Sequence, residues 1–212
     1  MSPGLEHSAR YDGETFEGVD FSGKILESST FTDCTFIRCQ FMDATLSHCR
    51  LINVVFDHCN LSVLHVPGST FSGCEINHSK ATGIDWTAAD WSAPAIRKPL
   101  SFLESDLSHS TFLGIKLPDI DIIQSTLRDV DFREAVLTRV SMTGSDLMES
   151  LFGKTNLTEA DFRGARNYQI DPLQNTITGA KFALPEALSL LYALDIEIDD
   201  INDDSRTNAE PR

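Results

Sequence analysis

An apolar side chain returns at every fifth position along most of this chain. One phase runs Phe16, Phe21, Leu26, Phe31, Phe36, Phe41 and onward to Trp86, Trp91 and Ile96; a second, displaced by one residue, runs from Phe102, Leu107 and Phe112 to Leu157 and Phe162. A helix repeats near 3.6 residues and a strand at 2, so neither generates this spacing. A short strict period sustained over about 150 residues marks a solenoid wound around a continuous core, in which each repeat touches only its neighbours. Two residues before each centre the side chain is small, as at Ser29, Cys34, Cys39, Ala44, Cys49, Cys59, Ser69, Cys74, Ser105, Ser125, Ala135, Ser145 and Ala160. Large and small residues side by side suit a narrow core that has to be filled without overpacking. The other three positions of each five are predicted to face outward.

Several stretches carry a more specific signal. Val19-Asp20-Phe21-Ser22-Gly23, Cys59-Asn60-Leu61, Ala89-Asp90-Trp91, Val130-Asp131-Phe132-Arg133-Glu134, Ser145-Asp146-Leu147 and Ala160-Asp161-Phe162-Arg163-Gly164 resemble the A(D/N)LXX consensus of the pentapeptide-repeat proteins. The resemblance implies an all-β fold, a right-handed quadrilateral β-helix with four pentapeptides to a coil. On this reading residues 1–10 are a tail, 11–182 form the β-helix, 183–197 a C-terminal helix and its extension, and 198–212 a disordered acidic tail.

Three departures from the repeat stand out. The phase slips between Ile96 and Phe102, within Ala93–Ser101. Pro94 and Pro99 have no ladder donor, so a small loop is expected at about 93–101, carrying Arg97 and Lys98 on an otherwise acidic rod. That slip reads as a one-residue insertion, either merely tolerated or serving as a partner-contacting loop. Trp86 and Trp91 occupy successive centres just before it and are expected to plug the core there. Finally, Leu184-Pro185-Glu186-Ala187-Leu188-Ser189-Leu190-Leu191-Tyr192-Ala193-Leu194 reads as a helix with proline in its first turn and Leu184, Leu188, Leu191 and Leu194 along one stripe. So short a helix needs a surface to pack on: it either caps the rod or pairs two chains.

Composition narrows the function. The five cysteines all fall in the small inward column and read as space-filling residues, not disulfides or ligands. The formal charge of −15 is spread evenly, residues 1–99, 100–164 and 165–212 each contributing −5. Such a body repels nucleic acid and attracts basic protein surfaces, although acidity also serves simple solubility. The sequence shows neither an apolar run long enough for a membrane span nor a leader, and the expected location is the cytoplasm. No cofactor, metal centre or catalytic grouping is predicted. His58 and His78 should stack one coil above the other, but two ligands without a carboxylate partner in register are too few for a metal.

Length, single-rod build, mid-chain break and terminal helix together resemble the Qnr-type quinolone-resistance proteins and the related proteins that protect DNA gyrase from albicidin or microcin. That resemblance implies a homodimer joined at its C-terminal end, binding DNA gyrase or another type II topoisomerase in place of the gate DNA. With about 8.5 coils at the ~4.8 Å spacing of adjacent strands, one chain would be about 40 Å long and the dimer ~80–100 Å. If the slip adds one residue, Asp85, Asp106 and Asp146 line up on one face and Asp90, Asp131 and Asp171 on the adjacent one. These columns are the expected partner-binding acids, unless aspartate sits there only to bond its own turn. The alternative function is a pentapeptide-repeat scaffold for a different, perhaps basic, protein partner.

Overall fold

Each repeat lays a short extended segment along one side of the rod and then turns a corner. Thr35–Ile37 is such a strand, and its central Phe36 is buried between two outward neighbours. The next residue, Arg38, takes a left-handed conformation (φ 52°), as do Asp43, His58 and Glu104 at equivalent corners. Four such corners return the chain to its starting side after twenty residues, so Phe16, Phe36 and Phe56 pair in parallel register. The computed structural model describes residues 7–92, 98–194 and 196, and among them the chain forms a four-sided parallel β-helix as far as Lys181. One side shows Arg10–Asp12, Thr30–Thr32, Arg50–Ile52 and Thr70–Ser72 as a four-stranded sheet. A second side carries six paired strands, from Thr15–Glu17 to Asp121–Ile123. A third continues by single bridges through Asp20, Gln40, Asn60, Lys80, Asp106, Thr126, Asp146 and Arg166.

The mid-chain slip is larger than one residue. Ile76 pairs with Phe102, and Lys80 and Asp85 bridge to Asp106 and Thr111. Each offset is twenty-six, which means one surplus residue plus one whole pentapeptide. A reading modulo five cannot separate an insertion of one from an insertion of six, which is why the sequence suggested the smaller. Pro94 and Arg97 of the expected loop lie outside the described residues.

The core is a stack of aromatic and aliphatic side chains. Phe16, Phe36 and Phe56 stack at 4.8 and 5.1 Å, and Phe112, Phe132 and Phe152 at 5.3 Å each. Trp86 is fully buried, stacked on Phe112 at 5.9 Å and edge-on to Phe71 and Phe102. Trp91 is only half-buried; it stacks on Phe71 and donates its indole N–H to the Trp86 carbonyl at 2.8 Å. The first tryptophan fills the core and the second covers its edge.

The small inward column does more than fill space. At corners closed by a local turn, the inward residue's own N–H bonds three residues back, as Ala44 does to Phe41 and Ala135 to Phe132. The corner after Ile37 and its equivalents lack that turn, and there the side chain one coil further on accepts instead. Cys39 N–H donates to Cys59 Sγ, Cys59 to Ser79 Oγ, Ser79 to Ser105, Ser105 to Ser125 and Ser125 to Ser145, over 2.8–3.4 Å. The ladder stops at Ser145, whose N–H returns to a local turn at Met142. Buried amides need acceptors, so serine and cysteine recur from Cys39 to Ser145, and alanine enters the column at Ala165, above a residue whose amide bonds a local turn. All five cysteines are free and buried, and loss of solvent pushes their thiols upward, Cys74 to about 11 and Cys59 to about 12.

The C-terminal helix is shorter than the sequence suggested. Only Leu188–Tyr192 is α-helical, and Ala187 supplies no side-chain cap. Leu188, Ser189 and Leu190 donate three residues back, to Pro185, Glu186 and Ala187, so the segment before the helix is a run of tight turns. Leu190 packs against the core.

Candidate functional site

The outward groups are where any function has to reside, because the interior is filled. All six aspartates singled out in the sequence precede a core centre, and each accepts a hydrogen bond from the backbone N–H two residues on. The acceptors and donors are Asp85 with Thr87 (3.0 Å), Asp90 with Ser92 (2.9 Å), Asp106 with Ser108 (3.0 Å), Asp131 with Arg133 (3.0 Å), Asp146 with Met148 (3.3 Å) and Asp171 with Leu173 (2.8 Å). Asn60 and Asn156 make the same bond. The corner therefore gives aspartate or asparagine a local role at this position, although Lys80, Thr126 and Arg166 occupy it in other coils.

The larger slip rearranges the columns. Asp106, Thr126 and Asp146 do stack, but the residue below them is Lys80. Asp85 instead belongs with Thr111, Asp131 and Leu151 on the adjacent side. Asp90 joins neither column: its N–H donates to Ser69 O, which sets it above Thr70 on a third side.

Nor are these acids equally available. Asp146 has a side chain only 3 % exposed, held by Arg128 (2.9 Å), Arg166 (3.6 Å) and the Asn167 amide (2.7 Å). Burial pushes its carboxyl up, but the bonds from Asn167, Arg128 and Met148 outweigh this and leave it below the ordinary aspartate range. Expecting it to point freely outward was wrong, because its corner is crossed by two arginines. Asp131 is bound bidentately by Arg133, whose hydrogen bonds lower its pKa. Asp85 and Asp90 are exposed, while Asp106 and Asp171 are half-buried. Bonds from Ser92 lower the pKa of Asp90, and bonds from Leu173 and Gln174 lower that of Asp171.

At the break, Lys98 Nζ lies 2.6 Å from Asp121, and the carbonyl of buried Pro99 accepts from Cys74 N–H. At the C-terminal end Leu184 is 76 % exposed and Leu191 39 %, whereas Leu188 and Leu194 are half-buried. Leu173 and Tyr192, which the stripe did not include, are exposed there too. His58 and His78 stack at 4.9 Å as expected. A carboxylate does stand in register with them, contrary to the sequence reading: Asp57 Oδ1 is 3.0 Å from the Nδ1 of each ring. Position 57 ends one strand and His58 turns the corner, so adjacent residues meet a neighbour twenty positions on.

This architecture defines a class: a non-globular β-solenoid whose exposed surface is built from short polar corners. Family models for a pentapeptide repeat region and for pentapeptide repeats match residues 9–86 and 116–153, together just over half of the chain. The chain belongs to the pentapeptide-repeat proteins. Among solved structures it is similar to a trypsin-treated variant of QnrB1, described as a plasmid-mediated fluoroquinolone resistance protein, at 22 % identity and a TM-score of 0.69, covering 91 % of this chain and 99 % of that one. Full-length QnrB1 matches at 21 % identity and a TM-score of 0.68, covering 88 % of this chain and all of the other. No curated protein sequence matches. Among the described residues no helix is long and apolar enough to cross a membrane.

Proposed function

We propose that this protein binds DNA gyrase or a related type II topoisomerase as a non-catalytic, DNA-mimicking rod, and protects it from a topoisomerase-poisoning antibiotic such as a quinolone or albicidin. The observation that carries the reading is the end-to-end match to a fluoroquinolone-resistance rod, joined to a net charge of −15. The acids supporting it are Asp85, Asp106, Asp131 and Asp171, with the register break at about 93–101 adding a local contact. In this reading two chains join through the exposed leucines at the C-terminal end, in the cytoplasm where the enzyme works.

The decisive test is DNA supercoiling by purified gyrase in the presence of a fluoroquinolone or albicidin, over a titration of this protein. Restored supercoiling is the expected result. Unchanged inhibition by both drugs would refute protection.

A second reading is a scaffold for a different protein partner with no topoisomerase role. It is favoured by the arginines that interrupt the negative surface a DNA mimic needs, Arg133 on Asp131, Arg139 on Asp119 and Arg163 on Asp161. A protein that leaves gyrase unbound but captures another partner would support it.

A further inference from the structure

Three histidines contact a carboxylate of a neighbouring coil at short range, and one of these contacts differs in kind. His65 meets Asp43 at 3.2 Å and His109 meets Asp129 at 3.1 Å, each as an isolated couple. Asp57 meets two imidazoles at once, and the three donor atoms lie within 4.8 Å of one another. We propose that Asp57, His58 and His78 form a binding site for a divalent transition ion such as Zn²⁺ or Ni²⁺. The inference stands independently of the gyrase reading.

The geometry is close to what an ion needs. Zinc holds nitrogen and oxygen at about 2.0–2.2 Å, which sets neighbouring ligand atoms of a tetrahedral site roughly 3.3 Å apart. Asp57 Oδ1 is already 3.0 Å from each Nδ1; the two rings, stacked at 22°, have to rotate out of the stack for both Nδ1 lone pairs to converge on the ion. Two imidazoles with one carboxylate suit zinc, nickel or copper and disfavour magnesium or calcium, which take oxygen. The side chains are 59 % (His58), 39 % (His78) and 34 % (Asp57) exposed, leaving open positions for water.

Proton placement is consistent. Without metal, each Nδ1–H donates to Asp57. With metal, both imidazoles shift to the tautomer protonated at Nε2 and offer the Nδ1 lone pair, so neutral rings release no proton. The Nε2 of His78 then carries a proton toward Glu104, whose Oε2 is 3.8 Å away. Glu104 occupies the same corner one coil further on, across the twenty-six-residue step. A carboxylate on the far nitrogen of a ligating histidine orients the ring and raises its basicity. Bound metal would tie two successive coils together and raise the thermal midpoint by mass action.

The test is isothermal titration of the full-length protein, purified without a histidine tag, with ZnCl₂ and with NiCl₂. One saturable site per chain is expected. His58→Asn and His78→Asn should each weaken it by at least about 10-fold, because each removes one of three ligands; asparagine is used since it tolerates the left-handed corner. Asp57→Asn should do the same, Glu104→Gln should weaken binding about 10-fold as an orienting partner, and His65→Asn should leave it unchanged. Circular dichroism confirms that each variant retains the rod. No saturable binding by the unaltered protein, or an affinity equal to that of the His58→Asn/His78→Asn double variant, would mean that the three groups only hydrogen-bond one another, and would overturn the proposal.

Discussion

Ile76 and Phe102 stand opposite each other on adjacent parallel strands although twenty-six residues separate them, where Phe56 and Ile76 are separated by twenty. Among the described residues the register holds on either side, Asp90 N–H donating to Ser69 O before the break and Gly73 N–H to Lys98 O after it, so all six surplus residues fall at one place in the chain. Deleting residues 93–98 restores the twenty-residue spacing and is expected to preserve the β-rich circular dichroism and a cooperative melt. Deleting 92–98 leaves the coil one residue short and should destabilise the rod markedly. In a gyrase assay the six-residue deletion should keep binding but reduce drug protection.

The fold was legible in the sequence because both signals that define it are periodic. The fifth-position centres and the small residues two places before them do fill the core. What the sequence hid was non-periodic or out of phase. An insertion of six is invisible to a period of five, so Asp85 was set beneath Asp106 when it belongs beneath Thr111 and Asp131. The burial of Asp146 depends on Arg166, one coil further along the same column, and on Arg128, which follows a centre and so lies outside any column of residues before the centres. Asp57 was passed over because it faces outward at the end of a strand, and only the corner at His58 turns it toward the histidine column.

The side-chain ladder along the inward column makes a stability prediction. Ser105→Ala removes the acceptor of the buried Ser79 N–H and is expected to cost about 1–3 kcal/mol. Ser105→Cys should cost less, because Cys59 Sγ fills the same role for Cys39 N–H. Urea denaturation of the two variants decides it: equal stability of Ser105→Ala and the unaltered protein would mean that the ladder contributes nothing.

Asp146 is expected to govern acid sensitivity. Its folded pKa is lowered, so its contribution to stability is present above the unfolded value near 3.9 and is lost as pH falls through the folded value. The protein should lose stability below about pH 4, and Asp146→Asn should flatten that dependence while lowering stability at pH 7. Denaturant midpoints at pH 7 and pH 3 for both proteins test this. An unchanged pH slope in the variant would assign the acid sensitivity to other carboxylates.

Association through the C-terminal end rests on the exposed Leu184 and Leu191. Changing both to aspartate should convert a dimer to a monomer and leave the rod's circular dichroism intact, since neither side chain is buried in the core. Light scattering at micromolar concentration reads the outcome, and a monomer before substitution would remove the end-to-end arrangement.

DNA mimicry is most directly tested by competition for gyrase between this protein and duplex DNA, measured as equilibrium binding at rising salt. Duplex should displace the protein, and affinity should fall as ionic strength rises, as for any contact set by long-range charge. Asp85, Asp106 and Asp131 changed together to asparagine should weaken binding at least 10-fold and leave the rod folded, because asparagine preserves the turn-closing acceptor at each corner. An affinity indifferent to duplex, to salt and to the triple substitution would contradict the account.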